Sequence, residues 1–175
     1  MGRLDGKRVA VLLGPGFEDL EFWVTVMRLR EEGAAVTVVG LHTGVEETGK
    51  HGLTAASDRA ALDVSAAEFD AVVVPGGWAP DKLRRSEAVT DLVRETHDRG
   101  NVVGLICHAG LVGISAGIVK GRRATGSTGI KDDLVNAGAE WVDEPALRDG
   151  NLVWGRVVED IPAFCRELVA AIAES

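Results

Sequence analysis

With 175 residues, 46% apolar and 26% charged, the chain has the makings of a substantial core and the composition of an ordinary soluble globular protein. A net charge of −8 argues against nucleic acid and anionic membrane surfaces as main partners, and no apolar run approaches the ~20 residues needed to cross a bilayer. Two cysteines make no disulfide framework, and the N-terminus has no apolar signal core, so the expectation is one domain spanning residues 1–175 in a reducing, cytoplasmic setting.

Arg8 to Leu13 is a continuous aliphatic run, the mark of a strand buried on both faces, and it ends at the turn Gly14-Pro15-Gly16. Phe17 to Glu32 follows with Leu20, Trp23, Val24 and Met27 at helical spacing, and Gly33 stops that helix. A second strand covers Ala35 to Gly40. His42 to Leu62 is rich in Thr, Gly and Ala and reads as an extended hairpin. Phe69 to Val74 is the third core strand, ended by Pro75-Gly76-Gly77. A helix over about Ser86 to Arg99 stops at Gly100. Val102 to Ile106 forms another apolar strand that halts at Cys107, and a small-residue helix, Ala109 to Gly117, follows directly. Gly129 to Ala137 is a short helix and Leu152-Val153-Trp154 a late strand. The last helix starts near Asp160 and carries the stripe Ile161, Phe164, Cys165, Leu168, Val169 and Ile172. Strands alternating with helices through short glycine turns predict an α/β fold: a doubly wound, mostly parallel sheet between helices, with a small hairpin insertion.

In such a sheet, sites form at the carboxyl ends of the strands. Three features fall on that rim: Glu18 after the first strand, Gly76-Gly77-Trp78 after the third, and Cys107-His108 after the fourth. Cys107 sits at a strand-to-helix junction, where a helix N-terminus favours the thiolate, and is the candidate nucleophile; an inert core thiol is the alternative. His108 is placed to move its proton. The backbone N–H groups of Gly77 and His108 are candidate oxyanion donors. Glu18 is either a helix-dipole carboxylate or, if it faces Cys107, a protonated acid that holds the sulfur. Asp81 is a surface residue or the group that orients His108. Cys165 belongs to the core. His42, His51 and His97 have no partner at metal-ligand spacing, and neither glycine-rich nucleotide fingerprint is present, so no metal or cofactor is expected.

Phe17-Glu18-Asp19, Lys50-His51-Gly52, Phe69-Asp70-Ala71, Pro75-Gly76-Gly77, Ile106-Cys107-His108 and Gly129-Ile130-Lys131-Asp132-Asp133 occur in this order. With these segments the chain resembles the ThiJ/PfpI superfamily, in particular its PfpI-type cysteine-peptidase-like branch, from Arg8 to about Val169. The resemblance implies a flavodoxin-like sandwich that assembles as a homodimer or hexamer, with Cys107 as nucleophile, His108 beside it and Glu18 as the family's glutamate near the sulfur. It further implies that an acidic residue of a neighbouring subunit, at the position of Asp81, orients the histidine. Family activities include peptidase, glyoxalase and deglycase chemistry, isonitrile hydration and oxidative-stress protection, so the fold does not select the reaction. Against the family pattern, Ala109-Gly110 replace Gly-Pro, Trp154-Gly155-Arg156 stand where relatives carry a Ser-Ser-Arg-type segment, and Trp78 follows Gly-Gly. Trp78, Trp154 and Arg156 are accordingly expected either to line an apolar, flat-walled substrate pocket or to pack at an oligomer interface. The leading expectation is a cysteine-dependent enzyme acting on a carbonyl or other electrophilic small molecule. A non-enzymatic redox sensor or stress protein using the same cysteine, and an intracellular peptidase, are the alternatives.

Overall fold

The computed structural model describes residues 1–175. The chain runs β1 (Arg8–Leu12), α1 (Asp19–Glu31), β2 (Ala35–Gly40), β3 (Glu46–Thr48), β4 (Thr54–Ala56), β5 (Arg59–Ala60), β6 (Ala71–Val74), α2 (Ala79–Leu83), α3 (Glu87–Asp98), β7 (Val102–Ile106), α4 (Gly110–Ala116), β8 (Arg123–Ala124), α5 (Lys131–Asn136), β9 (Glu140–Trp141), β10 (Ala146–Asp149), β11 (Leu152–Gly155) and α6 (Ile161–Glu174). Seven strands form the central sheet in the order β10-β11-β7-β6-β1-β2-β5, with every neighbouring pair parallel except β10–β11. The aliphatic runs are central because helices cover both sides: α1 packs with α6 on one face, and α3 with α4 on the other. The apolar side chains bury into one connected core.

From β1 the chain crosses to β2, and from β6 it crosses the other way to β7, so the strand order reverses between β1 and β6. The carboxyl ends of these two strands and of β7 therefore flank one crevice, the place where open α/β sheets hold ligands. The predicted hairpin is present as β3–β4, and β5 then adds to the sheet edge.

Two expectations change. The stripe on α1 lies mostly on the wrong face: Leu20, Val24 and Met27 are exposed and only Trp23 packs in part against the core, whereas Phe22, Val26 and Leu29 are buried together with Asp19, Glu21 and Thr25. The sheet-facing side of the helix carries two carboxylates at its start, which dilutes its apolar pattern below that of the outer side. Trp154 is also misplaced. It is fully buried in β11, in register with Leu105 of β7 and Leu147 of β10, and it belongs to the core rather than to a pocket.

Candidate active site

β7 ends at Ile106, and the next residue, Cys107, has φ 61°, the one non-glycine residue of the chain with positive φ. A side chain in this region costs on the order of 1–2 kcal/mol, so neighbours must hold it there. They do. The Cys107 carbonyl accepts the Ser127 N–H at 3.1 Å, and it lies so close to Gly126 that a β-carbon there would stand 2.7 Å from its oxygen. The turn lifts the thiol off the sheet, half-buried, with His108 Nδ1 at 3.3 Å from the sulfur. The N–H groups of His108 and Gly77 lie near the sulfur and act to lower its pKa.

Gly77 is offered to the sulfur by a turn bolted to the loop after β1. Glu18 N–H donates to the Gly76 carbonyl at 3.0 Å and Trp78 N–H to the Gly16 carbonyl at 2.8 Å. A β-carbon on Gly77, whose φ is 81°, would lie 2.4–2.7 Å from backbone atoms of residues 16–18. Only glycine fits.

The segment Phe17 to Glu21 divides its labour. Phe17 is buried against Phe22, with ring centroids 5.1 Å apart. Glu18 caps α1: its Oε2 accepts the Glu21 N–H at 2.8 Å, and its Oε1 lies 3.6 Å from His51 Nε2. It lines the crevice but makes no bond to Cys107. The carboxyl that does reach the sulfur belongs to Glu21, one turn further along the helix. Its Oε2 accepts the Gly76 N–H at 2.7 Å, and Oε1 is left without a hydrogen-bond partner. Glu21 thus occupies the place expected of Glu18. The helix brings both residues to one side, but only the inner one passes beneath the turn after β6. Asp19, also buried, accepts the N–H groups of His51 and Leu53, each at 2.7 Å. It fixes the hairpin tip beside the crevice.

Burial pushes the Glu21 carboxyl up to about 8, against a lesser lowering by the Gly76 N–H. The Cys107 thiol is pushed up to about 12, first by burial, then by the charge and hydrogen bond of Glu21, against the lowering by the His108 and Gly77 N–H groups. The expected helix-terminus depression of the thiol is therefore outweighed by desolvation. Below about pH 8 Glu21 is neutral, which removes its repulsion of the sulfur and turns its O–H into a donor toward it. His108 is held below the usual histidine range by burial and by the Lys50 ammonium, and so is a neutral base at neutral pH.

Over the sulfur lies a cavity of about 630 Å³. Trp78, Lys50, His51, Lys82, Leu111 and Ser127 are on its walls along with Glu18, Glu21, Cys107 and His108. Trp78 is 60% exposed on that wall. Arg156 is not on it: its guanidinium is held by Asp160 and Asp143 outside the cavity. Asp81 lies at the cavity rim but pairs with Arg85 at 2.5 Å and makes no hydrogen bond to its own His108. No group of three or more His, Cys, Asp or Glu side chains is arranged to hold a metal ion. Sequence reasoning missed Glu21 and Lys50. Glu21 had a signal, its i+3 spacing from Glu18; Lys50 stood in a recognised segment without an assigned role.

The sequence profile described as the DJ-1/PfpI family matches residues 7–171. A deglycase of Pyrococcus abyssi is 44% identical over 162 residues, covering 93% of this chain and 97% of the relative. General stress protein 18 of Bacillus subtilis is 37% identical over 169 residues, covering 95% and 98%. Among solved structures, DJ-1beta of Drosophila melanogaster superposes with a TM-score of 0.90 at 30% identity, covering 100% of this chain and 92% of the other.

Proposed function

This chain belongs to the DJ-1/PfpI family, and from that membership and the Cys107 corner we propose that it is a cysteine-dependent, deglycase-type enzyme acting on the carbonyl carbon of small adducts formed by reactive aldehydes. The observation that carries the reading is a thiol held at φ 61° on a cavity floor, with an imidazole nitrogen at 3.3 Å and two backbone N–H groups aimed at it. Deglycase, glyoxalase and amide-hydrolase chemistry share a first step that this arrangement suits. The sulfur–carbon bond forms as the thiol proton passes to His108 Nδ1 and the carbonyl π pair moves onto oxygen. The Gly77 and His108 N–H groups then receive that oxyanion. Neutral Glu21 donates to the sulfur and keeps a second negative charge away from it. Turnover of methylglyoxal adducts of N-acetylcysteine and N-acetylarginine, measured beside a peptide amide, tests the assignment. We expect the adducts to be consumed and Cys107→Ala to lose at least about a thousandfold, the scale of removing a covalent nucleophile; full turnover by that variant would overturn it.

A second reading has its own support. A carboxyl that is neutral below about pH 8 and faces the sulfur also suits an oxidised cysteine, whose added oxygen it would hydrogen-bond, and one relative is named a general stress protein. Each peroxide would add one oxygen to Cys107 and release water; selective oxygen addition without turnover of any adduct would favour it. We also propose self-association as a homodimer or hexamer, with Asp81, which does not serve its own His108, positioned to face a neighbouring copy. Sedimentation of the wild type and of Asp81→Ala checks this.

A further inference from the structure

The cavity above Cys107 holds two lysines that make no ion pair, Lys50 and Lys82. Asp81 is held by Arg85, and the carboxyls of Glu18, 3.6 Å from His51, and Glu159 also line the wall. Lys50 differs from Lys82 in being held at both ends. Its N–H donates to the Phe17 carbonyl at 2.8 Å, and the residues on either side of it are fixed by the buried Asp19 carboxylate, which also lies against Gly49. Its ammonium stands 5.9 Å from the centroid of the Trp78 ring. That ring in turn lies flat on Gly16, where a β-carbon would come within 2.9 Å of it. Trp78 directly follows Gly77, whose N–H points at the sulfur. A cation is thus stationed one residue away from the oxyanion donor, over an apolar plate, in a chain whose net charge is −8.

We propose that Lys50, seated on Trp78, is the anion-binding group of this cavity and selects substrates that carry a carboxylate next to the carbon attacked by Cys107. This rests on Cys107 being the nucleophile of the proposed function and narrows its substrate class to 2-oxo acids and to aldehyde adducts bearing a carboxylate. The Lys50 charge is felt by both Glu21 and His108, the two side chains flanking the sulfur, which places it within electrostatic reach of the reacting centre. A neutral dicarbonyl gains nothing from it. Lys82, exposed on α2, has no such seat.

Iodoacetate and iodoacetamide are nearly isosteric alkylating probes that differ by one charge. With either, the sulfur–carbon bond forms and iodide leaves. The rates at which each labels Cys107, followed by peptide mass at low salt, give a ratio that isolates the anion site from the reactivity of the thiol. Lys50→Met lowers the iodoacetate-to-iodoacetamide ratio about tenfold, the size of one partly screened charge contact. Lys50→Arg restores most of it, Lys82→Met leaves it unchanged, and added salt erodes the ratio in the wild type and these two variants but not in Lys50→Met. Brisk labelling with an unchanged ratio in Lys50→Met, or a ratio that follows Lys82 instead, overturns the Lys50 assignment and leaves the nucleophile standing. Failure of both reagents to label Cys107 overturns the nucleophile, and this proposal with it.

Discussion

Glu21→Gln is the most incisive change available at this site, because it alters a proton and almost nothing else. The glutamine keeps the shape and an oxygen that can accept the Gly76 N–H, now made at 2.7 Å. In the folded protein the wild-type carboxyl titrates at about 8 instead of its ordinary 4.5. Below 4.5 it is protonated whether the chain is folded or not, and the stabilising effect of the raised value is fully present. Between 4.5 and about 8 only the folded state keeps the proton, so each rise in pH draws the equilibrium toward the unfolded chain. The slope is about 1.4 kcal/mol per pH unit. From pH 5 to pH 7.5 the stability of the wild type relative to Glu21→Gln should therefore fall by about 3 kcal/mol, the remaining titrations cancelling because both proteins share them. Urea unfolding of the two proteins at half-unit steps measures this difference directly. Curves that stay parallel across the window would mean that the buried carboxyl is ionised at neutral pH, and the account of a neutral acid facing the sulfur would fail.

Four further substitutions probe the packing around the same corner and the tryptophans. Gly76→Ala would put a β-carbon 2.5 Å from Glu21 Oε2 and 2.8 Å from Cys107 Cβ; we expect about 1–3 kcal/mol of lost stability by urea unfolding, the range for overpacking, with slower alkylation of Cys107. Asp19→Ala leaves the His51 and Leu53 N–H groups without their acceptor; it should cost about 1–3 kcal/mol per group that stays unsatisfied, and should raise KM more than it lowers kcat, since the hairpin tip and not the sulfur is released. Trp154→Ala and Trp78→Ala should divide cleanly: the buried residue costs about 3–5 kcal/mol and appears as a drop in Tm, whereas loss of the 60% exposed Trp78 leaves Tm nearly in place and alters substrate discrimination.

The sheet was readable in the sequence because its strands are covered on both sides. Ala71–Val74 and Val102–Ile106 are apolar throughout, whereas even the apolar last helix is broken by Arg166 and Glu167 and keeps its buried residues at helical spacing. The cysteine corner was readable for the related reason that its strand stops abruptly at a reactive side chain. The short α2 was not, since Trp78-Ala79-Pro80-Asp81 has no helical period to detect and its five residues hold together by packing on α4. Trp154 was expected at a pocket wall or an oligomer interface because it stands where relatives carry a Ser-Ser-Arg-type segment; whether a strand residue is interior depends on what flanks it, and β10 and β7 flank this one.

Glu18 and Glu21 show where one-dimensional reading must stop. They are one helical turn apart and share a face, so every local rule that brings one carboxyl to the rim brings the other. What separates them is the turn after β6, residues distant in sequence: Gly76 gives its N–H to Glu21 while its carbonyl takes the N–H of Glu18. One glycine thus anchors both ends of that helical turn, directing the inner carboxyl at the sulfur and leaving the outer one to cap the helix and meet His51. Helix spacing could place a carboxyl beside Cys107; only the long-range contact with Gly76 could say which. Glu21 holds its proton because it is buried, and in spite of that contact, since an N–H donated to a carboxyl favours its ionised form.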